Sequence, residues 1–141
     1  MNSTKSGALE DIPVPVKLKL AALWTSVMFL YIYADYFGLY VPGVLQKILE
    51  GQMPPLGPVT QGMLIGTSVM LAVPALMIFL SVALKPGLNR WLNILMGVIY
   101  TLIICITMWS WYFYIVYGVL EIALTCLVVW YAWKWPRQAA A

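Results

Sequence analysis

Four long apolar blocks fill most of the chain, at about Leu18 to Tyr40, Thr60 to Leu84, Trp91 to Trp111 and Tyr114 to Trp135. At 1.5 Å per residue each reaches roughly 30 Å, about one hydrocarbon thickness. Lipid offers no partners to backbone N–H and C=O groups, so runs this continuous must be helices; barrel strands would alternate over about ten residues. The pattern predicts an all-α membrane protein, with residues 1–141 forming one domain of four transmembrane helices in an up-down bundle. The third boundary has no breaker or charge, only Ser110 among aromatics, and a tight turn is expected within Trp109 to Tyr114 because Trp and Tyr prefer the interface.

The long connection between the first two blocks reads VPGVLQKILEGQMPPLGPV. Val44, Leu45, Ile48 and Leu49 against Gln46, Lys47 and Glu50 predict a short amphipathic helix in the outer interface, ended by Gly51 and a stiff Pro-rich segment. It would serve as a lid over a cavity or as an interfacial anchor.

Composition agrees with a membrane setting. With 141 residues, 63% hydrophobic and 9% charged, the chain carries more apolar surface than a soluble domain of its size hides, and its first partner is the lipid bilayer. Lys5, Lys17 and Lys19 stand before or at the start of the first block, Lys85 and Arg90 join the second to the third, and Lys134 and Arg137 stand at or after the end of the fourth; only Lys47 lies on the other side. The positive-inside rule then makes both termini cytoplasmic in a multi-pass protein. The net charge of +3 follows from this bias and speaks for orientation and anionic lipid, not for nucleic acid. Glu10 and Asp11 interrupt the N-terminal region, so the first block is expected to stay as a span, with residues 1 to 11 as a short disordered arm.

The absence of histidine removes bis-His haem, zinc hydrolysis and His-based acid chemistry, and no cofactor is expected. Cys105 and Cys126 sit on different blocks without C-x-x-C spacing and read as small apolar core residues.

Asp35 and Glu121 interrupt this apolar background. An ionisable group at bilayer depth costs roughly 2 to 3 kcal/mol on insertion scales, so it marks a pathway, a ligand contact or an interhelical pair. Counted from the outer ends of their blocks they lie roughly 8 and 10 Å deep and can meet. Tyr31 and Gly38 share the face of Asp35, and Tyr117, Gly118 and Thr125 that of Glu121. The acids would form a ligand, cation or proton site or, held neutral, donate hydrogen bonds between helices. Gln61 and Ser68 would face the acids or act, like Ala72 and Ala75, in close packing; Asn93, Gly97, Thr101 and Cys105, at strict i, i+4 spacing, read as interhelical glue. Gly62 and Gly66 form a weak G-x-x-x-G, and Pro74 is expected to bend its helix and free a carbonyl.

YIYADYFGLYVPG, TQGMLIG, VPALMIFLS, LNRWLNI and LEIALTCLVVWYAWKW together resemble an uncharacterised family of small bacterial four-helix membrane proteins, a domain of unknown function, over about residues 20 to 135. The resemblance implies that Asp35, the pair Thr60 and Gln61, the triplet Asn89, Arg90 and Trp91, and Glu121 belong to a recurring pattern. It implies a fold and a location but no activity. Small multidrug exporters, with a lone Glu in the first helix, and quinone-reducing thiol enzymes, with C-x-x-C, fit less well.

The sequence therefore predicts binding or translocation of a small cationic or neutral molecule through an outward-facing pocket. Asp35 and Glu121 would carry charge, Tyr31, Tyr36 and Tyr117 line the site with Thr125 beside Glu121, and Gln61 and Ser68 orient the ligand. Transport would call for a homo-oligomer in so small a bundle. The rival is an accessory or assembly protein with the acids as glue. An enzyme comes third, since no nucleophile and base stand together.

Overall fold

The computed structural model describes residues 12–136, so the N-terminal arm, Lys5 and Arg137 lie outside the described residues. Four helices are long and apolar enough to cross a membrane: α1 (Val16–Gly38), α3 (Gln61–Ala83), α4 (Pro86–Thr107) and α5 (Tyr112–Trp133). Between α1 and α3 lie a short helix, α2 (Val44–Leu49), and a small antiparallel hairpin, β1 (Gln52–Met53) with β2 (Gly57–Pro58). The hairpin occupies the segment expected to be merely stiff. Gly51 (φ 74°) and Gly57 (φ 98°) supply its left-handed turns, which β-carbon-bearing residues rarely adopt.

Helix ends follow their local chemistry. The Thr60 hydroxyl accepts from the Met63 N–H at 3.2 Å and starts α3. Pro86, with its φ preset and no N–H to waste, starts α4 five residues before the hydrophobic block at Trp91. After Thr107 the chain turns through Met108 to Trp111, and the Trp109 indole donates to the Cys105 carbonyl at 2.6 Å, taking up an orphan group at the end of α4.

Helix α1 packs between α3 and α5, α5 packs on α4, and α3 touches α4 only slightly. One end of the molecule gathers the start of α1, the end of α3, the start of α4 and the end of α5. There Lys17 Nζ donates to the carbonyls of Val82 (3.0 Å) and Leu84 (2.7 Å), and Arg90 Nη2 donates to that of Trp133 (3.3 Å). Both cations cap the C-terminus of a neighbouring helix, where free carbonyls and the helix dipole favour positive charge. Arg90 also lies over the rings of Trp91 and Trp133, Lys19 over Tyr131 and Lys134 over Trp130, each at cation–π range.

The core holds Leu20, Trp24, Met77, Tyr100, Val128 and Ala132. Asn93 is its polar hub: its Oδ1 accepts from the Trp24 indole (2.8 Å) and the Ser81 hydroxyl (3.2 Å), and its Nδ2 donates to the Asn89 Oδ1 (2.7 Å). Asn89 donates in turn to the Ser81 carbonyl at 2.6 Å. The cluster joins α1, α3 and α4 and is fully buried, so these polar groups act as interhelical glue. Thr101 and Thr125 join α4 to α5 through their hydroxyls at 2.7 Å.

Two of the predicted stripes turn away from the contacts. Asn93, Gly97 and Thr101 serve packing, but Cys105 is exposed. A strict i, i+4 series drifts about 40° per step, so its fourth member stands about 120° off the seam. Cys126 is exposed as well, one position past the buried Thr125, and neither thiol is a core residue. Ser68, Ala72 and Ala75 are exposed too; α3 packs through Met63, Thr67, Leu71, Pro74, Met77 and Ser81.

Candidate functional site

Glu121 is the most buried carboxylic acid among the described residues, 5% exposed on the inner stripe of α5 that also holds Gly118, Thr125, Val128 and Ala132. Its carboxyl takes no hydrogen bond from any described residue. Asp35 is near enough for the two charges to interact, and Tyr31 is within electrostatic reach of both Glu121 and Tyr100. Asp35 itself is exposed, at the edge of the α1 seam marked by buried Ala34 and Gly38. The phenol of Tyr114 fills the space that a side chain at Gly38 would need and comes within electrostatic reach of Asp35.

The acids differ in depth. Asp35 is three residues from the end of α1, roughly 5 Å, whereas Glu121 is nine residues into α5, roughly 14 Å. The sequence placed them level because it ran the first block to Tyr40 and began the fourth at Tyr114.

The polar groups form a descending series: Asp35 and Tyr114 near the end, Glu121 and Tyr31 below, then Tyr100. The Thr101–Thr125 pair stands level with Tyr100, and below it the series stops at the Asn93 cluster; both are satisfied internally. Among the described residues no basic side chain acts on either acid: Lys17, Lys19, Lys85, Arg90 and Lys134 belong to the opposite end, and Lys47, on α2 at the same end, is not among their charge partners. No group of three metal-ligating side chains assembles among them either. Two carboxyls without internal counter-ions, flanked by phenols, can hold a proton or an organic cation.

The other expected ligand residues are scattered. Thr125 is fully buried and bonded to Thr101 and to the Glu121 carbonyl (3.0 Å), so its hydroxyl is committed. Tyr36 is exposed and bonded to Tyr40 at 2.9 Å. Gln61 and Ser68 are exposed, off the face by which α3 packs. Tyr117 lines an aromatic cleft of about 450 Å³ between α1 and α5, which includes neither acid; a second hollow of about 220 Å³ lies over Val98, Thr101, Leu102, Cys126 and Val129.

Two members of the series escaped sequence reasoning. Tyr114 fell at a predicted helix end, and its role depends on the gap above Gly38. Tyr100 was within reach, because it lies seven residues past Asn93 and three past Gly97 and so shares their stripe.

No curated protein and no solved structure matches the chain. The family model described as "Family of unknown function (DUF6326)" matches residues 15–141. With nearly the whole chain covered, this multi-pass protein with four candidate membrane spans belongs to that family of unknown function, DUF6326.

Proposed function

We propose that the protein is a membrane-embedded binding protein for a small organic cation, with Asp35 as the outer and Glu121 as the inner acid of one site. The observation that carries this reading is Glu121, a buried residue of the inner stripe whose carboxyl reaches the edge of the packed helices and takes no hydrogen bond from any described residue. Glue behaves differently in this chain: the Asn89, Asn93 and Ser81 side chains and the Thr101–Thr125 pair are bonded across helices, whereas Glu121 and Asp35 are not. A buried acid left unpaired costs stability and persists where function uses it.

Binding is favoured over translocation by a single chain, because the series of polar groups ends against the Asn93 cluster. A path through the membrane would need a second copy or a rearrangement of that cluster. The site opens outward, at the end opposite the Lys17, Lys85 and Arg90 cluster, with both termini cytoplasmic and α2 lying in the outer interface of a bacterial inner membrane.

The rival, an accessory or assembly protein, draws support from Asp35. An exposed aspartate in an apolar span is a natural contact for a polar group on a partner helix.

Thermal unfolding of the detergent-solubilised chain, with and without tetraphenylphosphonium, separates the readings. For a site, the cation stabilises the wild type, Asp35→Asn and Glu121→Gln each abolish that gain while the fold survives, and the double variant is no worse than either single one. Equal melting of all four proteins, without any cation effect, refutes the site.

A further inference from the structure

The cleft that Tyr117 lines is open to the surface and has five aromatic members, Phe37 on α1, Tyr40 in the turn after it, Trp111 just before α5, and Phe113 and Tyr117 on α5. Its volume of about 450 Å³ is in the range of small-molecule sites, and its lining carries no charged side chain. On α1, Phe37 stands about 160° around the helix from Asp35, with Gly38 between, so the cleft and Asp35 lie on the two sides of the α1–α5 seam. Tyr114 crosses that seam: its ring packs on Phe113, centroids 4.3 Å apart, and its phenol sits over Gly38 beside Asp35.

We infer that this cleft is a recognition cage for lipophilic organic cations of the quaternary ammonium or phosphonium type, entered from the bilayer. Aromatic faces carry the negative part of the ring quadrupole and attract a cation whose charge is spread and weakly hydrated. A metal ion is a poor fit, because rings cannot replace its inner oxygen shell. Asp35 acts on Tyr114, whose ring packs on Phe113 of the cleft, and its carboxylate field selects against anions. The inference rests on the acid-site reading for this field and adds to it the ligand class and the place of first contact.

Equilibrium binding to the detergent-solubilised full chain, read by tryptophan fluorescence, uses tetraphenylphosphonium and the tetraphenylborate anion of the same shape. The phosphonium is expected to bind and the borate not. Trp111→Leu and Phe113→Leu keep apolar bulk but lose the ring face, and each should weaken the phosphonium about tenfold, while Trp111→Phe stays close to wild type. Trp111 is exposed, so Leu there leaves the core intact, and circular dichroism checks the fold. Equal binding of both ions, binding of neither, or full affinity in both Leu variants overturns the cage. If the Leu variants lose affinity while Asp35→Asn and Glu121→Gln keep it, the cage stands and the acid site falls. The reverse pattern retains the acids and overturns the cage.

Discussion

The Tyr100 hydroxyl donates to the Met70 carbonyl at 2.6 Å, and Met70 is the residue whose carbonyl Pro74 leaves free. Proline has no N–H for the group four residues back, and in an apolar bundle that carbonyl needs another donor. A phenol from α4 thus repairs the break in α3, where these two helices otherwise touch little.

Tyr100→Phe should therefore cost about 1 kcal/mol. Pro74→Ala returns an N–H to the Met70 carbonyl, so Tyr100→Phe should cost less in that background. A double-mutant cycle by thermal or denaturant unfolding measures the coupling, and strict additivity would remove the repair role.

Asn93→Ala should be the most harmful single change among the buried polar residues. It leaves the Trp24 indole, the Ser81 hydroxyl and the Asn89 Oδ1 without these partners in a fully buried place and is expected to cost about 2–3 kcal/mol. Thr101→Ala, which breaks one hydroxyl pair, should cost clearly less. Equal melting of the two variants would contradict the hub.

Gly97 and Gly66 should respond oppositely to alanine. A Cβ at Gly97 would stand 2.7 Å from Val129 Cγ2 and 3.3 Å from the Thr125 carbonyl, so Gly97→Ala pries α4 from α5 at a cost of about 1–3 kcal/mol. At Gly66 a Cβ meets nothing within 4 Å, and Gly66→Ala should be neutral or mildly stabilising. A large loss at Gly66, together with a smaller particle in size-exclusion chromatography, would instead reveal a second copy packed on the Gly62 and Gly66 face.

Orientation is open to labelling in intact cells. In a background with Cys105 and Cys126 changed to Ser, a cysteine at Gln52 should react with a membrane-impermeant maleimide, and cysteines at Lys85 or Lys134 should not. The reverse pattern would place the acid end of the bundle in the cytoplasm.

Much of the fold was legible because lipid admits few solutions. Long apolar runs such as the one holding Gly62 to Leu84 have no stable form in a bilayer except a helix, so span number and helical class follow from residue order alone. The chemistry of single residues was legible too: Pro74 had to free a carbonyl, and Asp35 and Glu121 had to stand out. Tertiary structure alone decided what each side chain meets. Helix rotation put Cys105 outside while Asn93, twelve residues earlier, went inside, because the small drift of an i, i+4 stripe accumulates and only the neighbouring helix selects which part is covered. It also decided that Tyr100 answers Met70, that Tyr114 fills the space over Gly38, and that Glu121 lies below Asp35. Depth and partner depend on where helices end and how they slide past one another, and those depend on contacts between residues remote in the chain.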